Sequence, residues 1–310
     1  MQLQIDGLLL DARNVKLLRL LRDDPRTERR LWAERLPPHA YFVVSAVFHY
    51  LGPAFAVLLF AHIAPLGVAW LRIAGAGAVF ALWRRPWRYH RRLGISERRL
   101  VVALGIVLAL MNVSFYLAIA RLPLATVGAI EFLGPIGLAA AGLGSRRNLA
   151  ALFLAIAGVC FLTELSFPGA ALGYAFAFAN CALFVIYIVL GHRIARAGGA
   201  AGIDRLGAAM LVAAVAAAPL GLADAWPAFG NPALLAAGIA VGLCSSVIPY
   251  VTDQLAMARL PRASFALLLS LLPATACGIG LLVLHQMPSL RDLAGIAFVI
   301  AGVGLHRPAR

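Results

Sequence analysis

Residues 113–142 read VSFYLAIARLPLATVGAIEFLGPIGLAAAG, and residues 251–280 read VTDQLAMARLPRASFALLLSLLPATACGIG. At this offset Val113, Leu117, Ala118, Ala120, Arg121, Leu122, Pro123, Ala125, Leu133, Pro135 and Gly142 return as Val251, Leu255, Ala256, Ala258, Arg259, Leu260, Pro261, Ala263, Leu271, Pro273 and Gly280. Both stretches are apolar, and both carry an Arg-Leu-Pro turn followed by a second proline. A hydrophobic chain that repeats itself with breaker residues at matched positions is the sequence form of a two-halved transporter, with its binding site near the breaks.

Outward from that repeat the composition points the same way. The chain has 310 residues, 62% of them hydrophobic and 13% charged, with a mean hydropathy of +0.89. Soluble domains carry about 25% charged residues, so a soluble globular class is excluded. The unit is then the membrane span of about 20 apolar residues. Ten spans are predicted, near 41–62, 65–83, 100–120, 122–143, 148–164, 170–191, 206–223, 232–252, 263–285 and 288–306. Pro65, Pro168 with Gly169, Gly198 with Gly199, Pro227, Pro232 and Pro288 punctuate them.

The 27 Lys and Arg residues are spread unevenly. With the amino terminus in the cytoplasm, only Arg121 and Arg291 fall outside, and Arg72 lies within a span. The positive-inside rule then places both termini on the cytoplasmic side of a bacterial inner membrane. Five spans per half is an odd number, so the second half enters the membrane from the opposite side. The expected fold class is an all-α integral membrane protein of ten transmembrane helices in two inverted five-helix repeats, 41–165 and 166–310, behind a basic tail, 1–40. Topology and anionic headgroups account for the net charge of +14, and no nucleic-acid partner is expected. The tail has no apolar core of the length a cleaved leader needs. Leu8–Leu21, with Arg13, Lys16 and Arg19 among leucines, reads either as a basic amphipathic helix on the membrane surface or as a tail without structure.

Ionisable groups inside spans are costly and mark a functional site or a buried pair. Two stand out, Arg72 and Glu131, with Glu131 as the only acid expected at mid-depth. Pro135 follows Glu131 by one helical turn; it removes a backbone hydrogen bond and favours a kink. A buried carboxylate needs a cation or a proton. The cation is either Arg72, as an architectural partner, or the amine of a substrate. Asn112 and Tyr116 share one helix face, Ser245, Ser246, Tyr250 and Gln254 surround Pro249, and His49, Tyr50, Asn180 and Tyr187 add polar groups. Spans one, three, four, six, eight and nine are predicted to line one polar cavity. The candidate substrate-binding set is Glu131, Asn112, Tyr116, Arg72, Tyr250, His49 and Tyr187, with Pro135 and Pro273 as matched helix breaks. Cys160, Cys181, Cys244 and Cys277 form no CxxC and the histidines no HExxH, so neither metal nor cofactor is expected.

The phrase Met111-Asn112-Val113-Ser114-Phe115-Tyr116-Leu117, with Arg121-Leu122-Pro123 and Ile130-Glu131-Phe132-Leu133-Gly134-Pro135, resembles the threonine/homoserine exporter branch of the EamA family, in the drug/metabolite transporter superfamily. Arg72 within Trp70-Leu71-Arg72-Ile73 is similar to that family's second-span arginine, and Ser246–Ala263 to its eighth-to-ninth span segment. The resemblance covers residues 41–306. It implies ten helices in inverted repeats and alternating-access export of amino acids, such as threonine and homoserine, out of the cytoplasm. The partners implied are a small-molecule substrate and the lipid bilayer, with the protein a monomer or a homodimer. The chain departs from the family at two places: Leu272 precedes Pro273 where a glutamate is frequent, and His285-Gln286 stands where the family has Gly-Glu. Proton coupling through those acids is therefore not carried over. The alternatives are a membrane-embedded enzyme, for which no paired carboxylates or nucleophile with a base are visible, and a non-transporting membrane protein.

Overall fold

The computed structural model describes residues 4–5, 8–9, 38–87, 93–141, 146–162, 170–196, 199–260 and 272–305. Its helices are α1 (Pro38–Leu59), α2 (Pro65–Arg84), α3 (Ile95–Ile119), α4 (Leu124–Ala141), α5 (Arg146–Leu162), α6 (Ala170–Ala195), α7 (Gly199–Phe229), α8 (Pro232–Gly242), a π-helical segment (Leu243–Val247), α9 (Ile248–Met257), α10 (Leu272–Leu284) and α11 (Leu290–Leu305). In the tail, Gln4–Ile5 pairs antiparallel with Leu8–Leu9. The remainder of the tail segment 8–21 lies outside the described residues.

Among the described residues, six stretches are long and apolar enough to cross a membrane: Ala40–Leu59, Pro65–Arg84, Ile95–Ile119, Ala170–Ala195, Ala201–Phe229 and Pro232–Met257. Leu124–Gly134 and Ala274–Leu284 are apolar and shorter. Proline starts α2 and α8, where its missing N–H is no loss and its fixed φ suits a helix. Asn231 caps α8, its side chain accepting from Ala233 N at 3.0 Å and Leu234 N at 3.3 Å. At the start of α11, Asp292 Oδ2 accepts from Ser289 N and Oγ, both at 2.8 Å, and Ser289 Oγ accepts from Asp292 N at 3.1 Å.

Helices from either side of residue 165 interleave. The strongest packing is of α2 on α7, α5 on α11, α3 on α6 and α7, and α1 on α9. Near their ends α2 and α3 are tied to α7 by Arg84 with Asp204, 2.6 Å, and by Arg205 with Glu97. Outward-facing Leu82, Phe153, Val215 and Trp226 are exposed, as suits a surface solvated by lipid tails rather than water.

The two turns fold alike through Arg121-Leu122 and Arg259-Leu260. Leu122 N donates to Ala118 O at 2.9 Å and Leu260 N to Ala256 O at 2.8 Å, while Ala120 N donates to Tyr116 O and Ala258 N to Gln254 O. Arg121 then stacks over Phe176 of α6, 5.5 Å from the ring centre, and Arg259 over Tyr41 of α1, 5.4 Å away.

Close approach of two backbones sets the centre of the molecule. A Cβ on Gly52 of α1 would lie 2.7 Å from Ser245 N and 2.8 Å from Ser245 Cα, nearer than real Cβ contacts come. A Cβ on Gly242 would lie 3.0 Å from Ala76 N of α2. The π segment is therefore wedged between α1 and α2.

Candidate functional site

Three prolines each stand four residues beyond a polar residue: Pro53 beyond His49, Pro135 beyond Glu131, Pro249 beyond Ser245. A proline in a helix has no N–H to give the carbonyl one turn back, so each carbonyl loses its helical partner. At Ser245 the replacement is visible, because Arg72 Nη2 donates to Ser245 O at 2.7 Å and Arg72 Nε donates to Ser246 Oγ at 2.8 Å. The guanidinium lies 5.5 Å from the centre of the Tyr116 ring, and Arg72 is 4% exposed. Its fork is thus fixed on α8–α9 backbone and a hydroxyl, and these donors are not spent on Glu131.

Glu131 takes its hydrogen bonds from other helices. Asn180 Nδ2 donates to Oε1 at 2.9 Å, Tyr50 Oη donates to Oε2 at 3.2 Å, and His49 Nε2 lies 3.8 Å from Oε2. Helices α1, α4 and α6 meet at this carboxylate. His49, Arg72, Asn112, Glu131, Asn180 and Tyr250 line one cavity. Asn112 Nδ2 is turned back to Leu108 O, 2.7 Å. The cavity measures about 10 Å³, about the room one water needs. Around it, Tyr116 Oη, Asn180 Oδ1 and Ser245 Oγ are buried with no hydrogen-bond partner. Such orphans are rare in folded proteins and ask for a water or a ligand.

Two expectations change here. Glu131 is not the only buried acid: Asp253 is 2% exposed, because the eighth span runs on as helix to Met257 instead of stopping near residue 252. Ser45 Oγ donates to Asp253 Oδ1 at 2.5 Å and Tyr187 Oη to Oδ2 at 3.3 Å. Ser45 and His49 are one turn apart on α1, so the two carboxylates stand at successive levels of one polar column. Second, the cavity wall includes span two through Arg72, and among the described residues span nine contributes nothing to it.

Of the seven candidate site residues, His49, Arg72, Asn112, Glu131 and Tyr250 share the cavity. Tyr116 reaches it through Arg72, while Tyr187 serves Asp253 and lies 5.4 Å from the Tyr250 ring. Pro135 lies inside α4, and Pro273 is the second residue of α10. Asp253 is the residue that reading the sequence missed. Its signal was Tyr250 three positions earlier and Gln254 beside it, polar groups that continue a helical face past the point where hydropathy falls.

Comparison with known proteins shows the family. Residues 171–306 match the model of the EamA-like transporter family. Over 259 residues the chain is 32% identical to the threonine/homoserine exporter RhtA of Salmonella typhimurium, covering 82% of this chain and 85% of that protein. The chain belongs to the EamA-like transporter family. The EamA relative of the same name in Escherichia coli is 32% identical over 255 residues, 81% of this chain and 84% of its own. A crystal structure 19% identical in sequence superposes with a TM-score of 0.60 over 86% of this chain and 96% of that one, a likeness of fold alone. As an EamA member the chain is a multi-pass membrane protein of a transporter family.

Proposed function

We propose that this protein exports an amino acid, threonine or homoserine in the first instance, from a site centred on Glu131. The observation that carries the reading is a buried carboxylate and a buried guanidinium on the wall of one small cavity, each held by other groups and neither used up by the other. An α-amino acid presents an ammonium and a carboxylate one carbon apart. Glu131 takes the first and Arg72 the second, so neither charge is left unmet in a medium where an isolated ion costs about 3 kcal/mol on the lenient scale. Relatives named as threonine/homoserine exporters, 32% identical across most of the chain, support that cargo.

A cavity of about 10 Å³ has no room for an amino acid, so cargo enters only when helices part. Alternating access by two inverted five-helix repeats, with both termini in the cytoplasm, meets that need. The interleaved packing and the twin Arg-Leu-Pro turns support it. The test is efflux of radiolabelled threonine and homoserine from loaded membrane vesicles. Glu131→Gln is expected to abolish efflux while membrane expression stays near normal. Unchanged efflux in that variant, beside an Arg72→Ala variant that fails to accumulate, makes the pair architectural and sinks the site.

A further inference from the structure

At the Arg121 end of α3 lies a cavity of about 310 Å³, inside the roughly 300–1,000 Å³ range of small-molecule sites. Its wall includes Arg121, Thr126, Cys277, Gln286 and Asp292. The polar column described above contributes none of these residues.

Among the described residues, the charges on this wall are one guanidinium and one carboxylate, and Gln286 is neutral. Arg121 is held in place: Nη1 donates to Leu117 O at 2.7 Å, and the guanidinium lies 5.5 Å from the centre of the Phe176 ring. Asp292 is fixed through Oδ2 by Ser289 N and Oγ. Helix α4 begins beside this wall, where Leu124 N donates to Gln286 Oε1 at 3.3 Å, and Asp292 sits in the first turn of α11, where it offsets the positive end of that helix. A balanced pair of fixed opposite charges fits a zwitterion. A simple carboxylic acid or a simple amine leaves one wall charge without a partner.

We propose that this cavity is a second binding station for a zwitterionic α-amino acid, at the outer end of the path, with Arg121 taking the carboxylate and Asp292 the ammonium. The proposal rests on the amino-acid export reading and on the Arg121 end facing outward. In the conformation seen here the central cavity, about 10 Å³, has no room for cargo and this one, about 310 Å³, has, so it holds cargo that has left Glu131 and not yet reached bulk water. Arginine is suited to the task because its fork binds a carboxylate through two parallel hydrogen bonds.

Cys277 on the wall is a built-in reporter. In vesicles retaining the cellular orientation, a membrane-impermeant maleimide added outside should label Cys277, located by mass spectrometry of the labelled peptide. Added L-threonine should slow that labelling several-fold, whereas 2-hydroxybutyrate or 1-aminopropan-2-ol at the same concentration should not. Arg121→Gln and Asp292→Asn should each remove the protection. A labelling rate indifferent to threonine, in vesicles that do export threonine, overturns the station and leaves the exporter reading standing. Equal protection by the amine, protection that survives both substitutions, or no labelling from outside also overturns it. Vesicles that move no amino acid overturn both readings.

Discussion

Asp253 shows what a hydropathy profile hides. Val251-Thr252-Asp253-Gln254 reads as the polar exit of a span, yet the helix continues and the carboxylate is buried against Ser45 and Tyr187. A buried donor that loses its acceptor costs about 1–3 kcal/mol. Asp253→Ala strands the Tyr187 hydroxyl and leaves Ser45 Oγ only Pro249 O, 3.4 Å away, so thermal unfolding in detergent should show a loss of about that size. Asp253→Asn keeps an oxygen for Ser45 and should be the milder change; equal stability of the Ala variant and the parent would mean that water replaces the carboxylate. Glu131 and Arg72 were legible because a charge in an apolar run stands out at once. Their partners were not, since Arg72 chooses a carbonyl freed by Pro249, and nothing in the sequence ties position 72 to position 245.

Among elements, the π segment is the one that sequence periodicity does not reveal. An α-helical and a π-helical turn need the same apolar residues; what differs is one hydrogen bond, decided here by Pro249 and by the wedge between Gly52 and Ala76. Pro249→Ala restores an N–H that competes with Arg72 for Ser245 O. Because Pro is about 3 kcal/mol less favourable than Ala inside a helix, the variant should melt higher and export more slowly. Faster efflux with a lower melting temperature would contradict the view that this break is kept for movement. Pro135 and Pro273 were visible as a matched pair, because proline is read directly from the chain and its offset repeats; Pro135 lies within α4 and Pro273 is the second residue of α10.

For the whole molecule, the placing of the apolar stretches was open to reading, since lipid demands long apolar helices. Which helices face the cavity was less open: span two enters through a single arginine, and in a bundle this apolar, Ala and Gly faces look alike. Packing across the middle of the chain has a consequence for how the protein can be divided. If α1–α5 find their strongest neighbours in α6–α11, the polypeptide bond near residue 166 is dispensable while neither fragment is self-sufficient. Two plasmids encoding 1–165 and 166–310 should together restore threonine resistance to a sensitive host, and either alone should yield only fragments cleared by proteolysis. An autonomous, stably accumulating first fragment would mean that residues 1–165 find enough partners among themselves to do without the helices that follow.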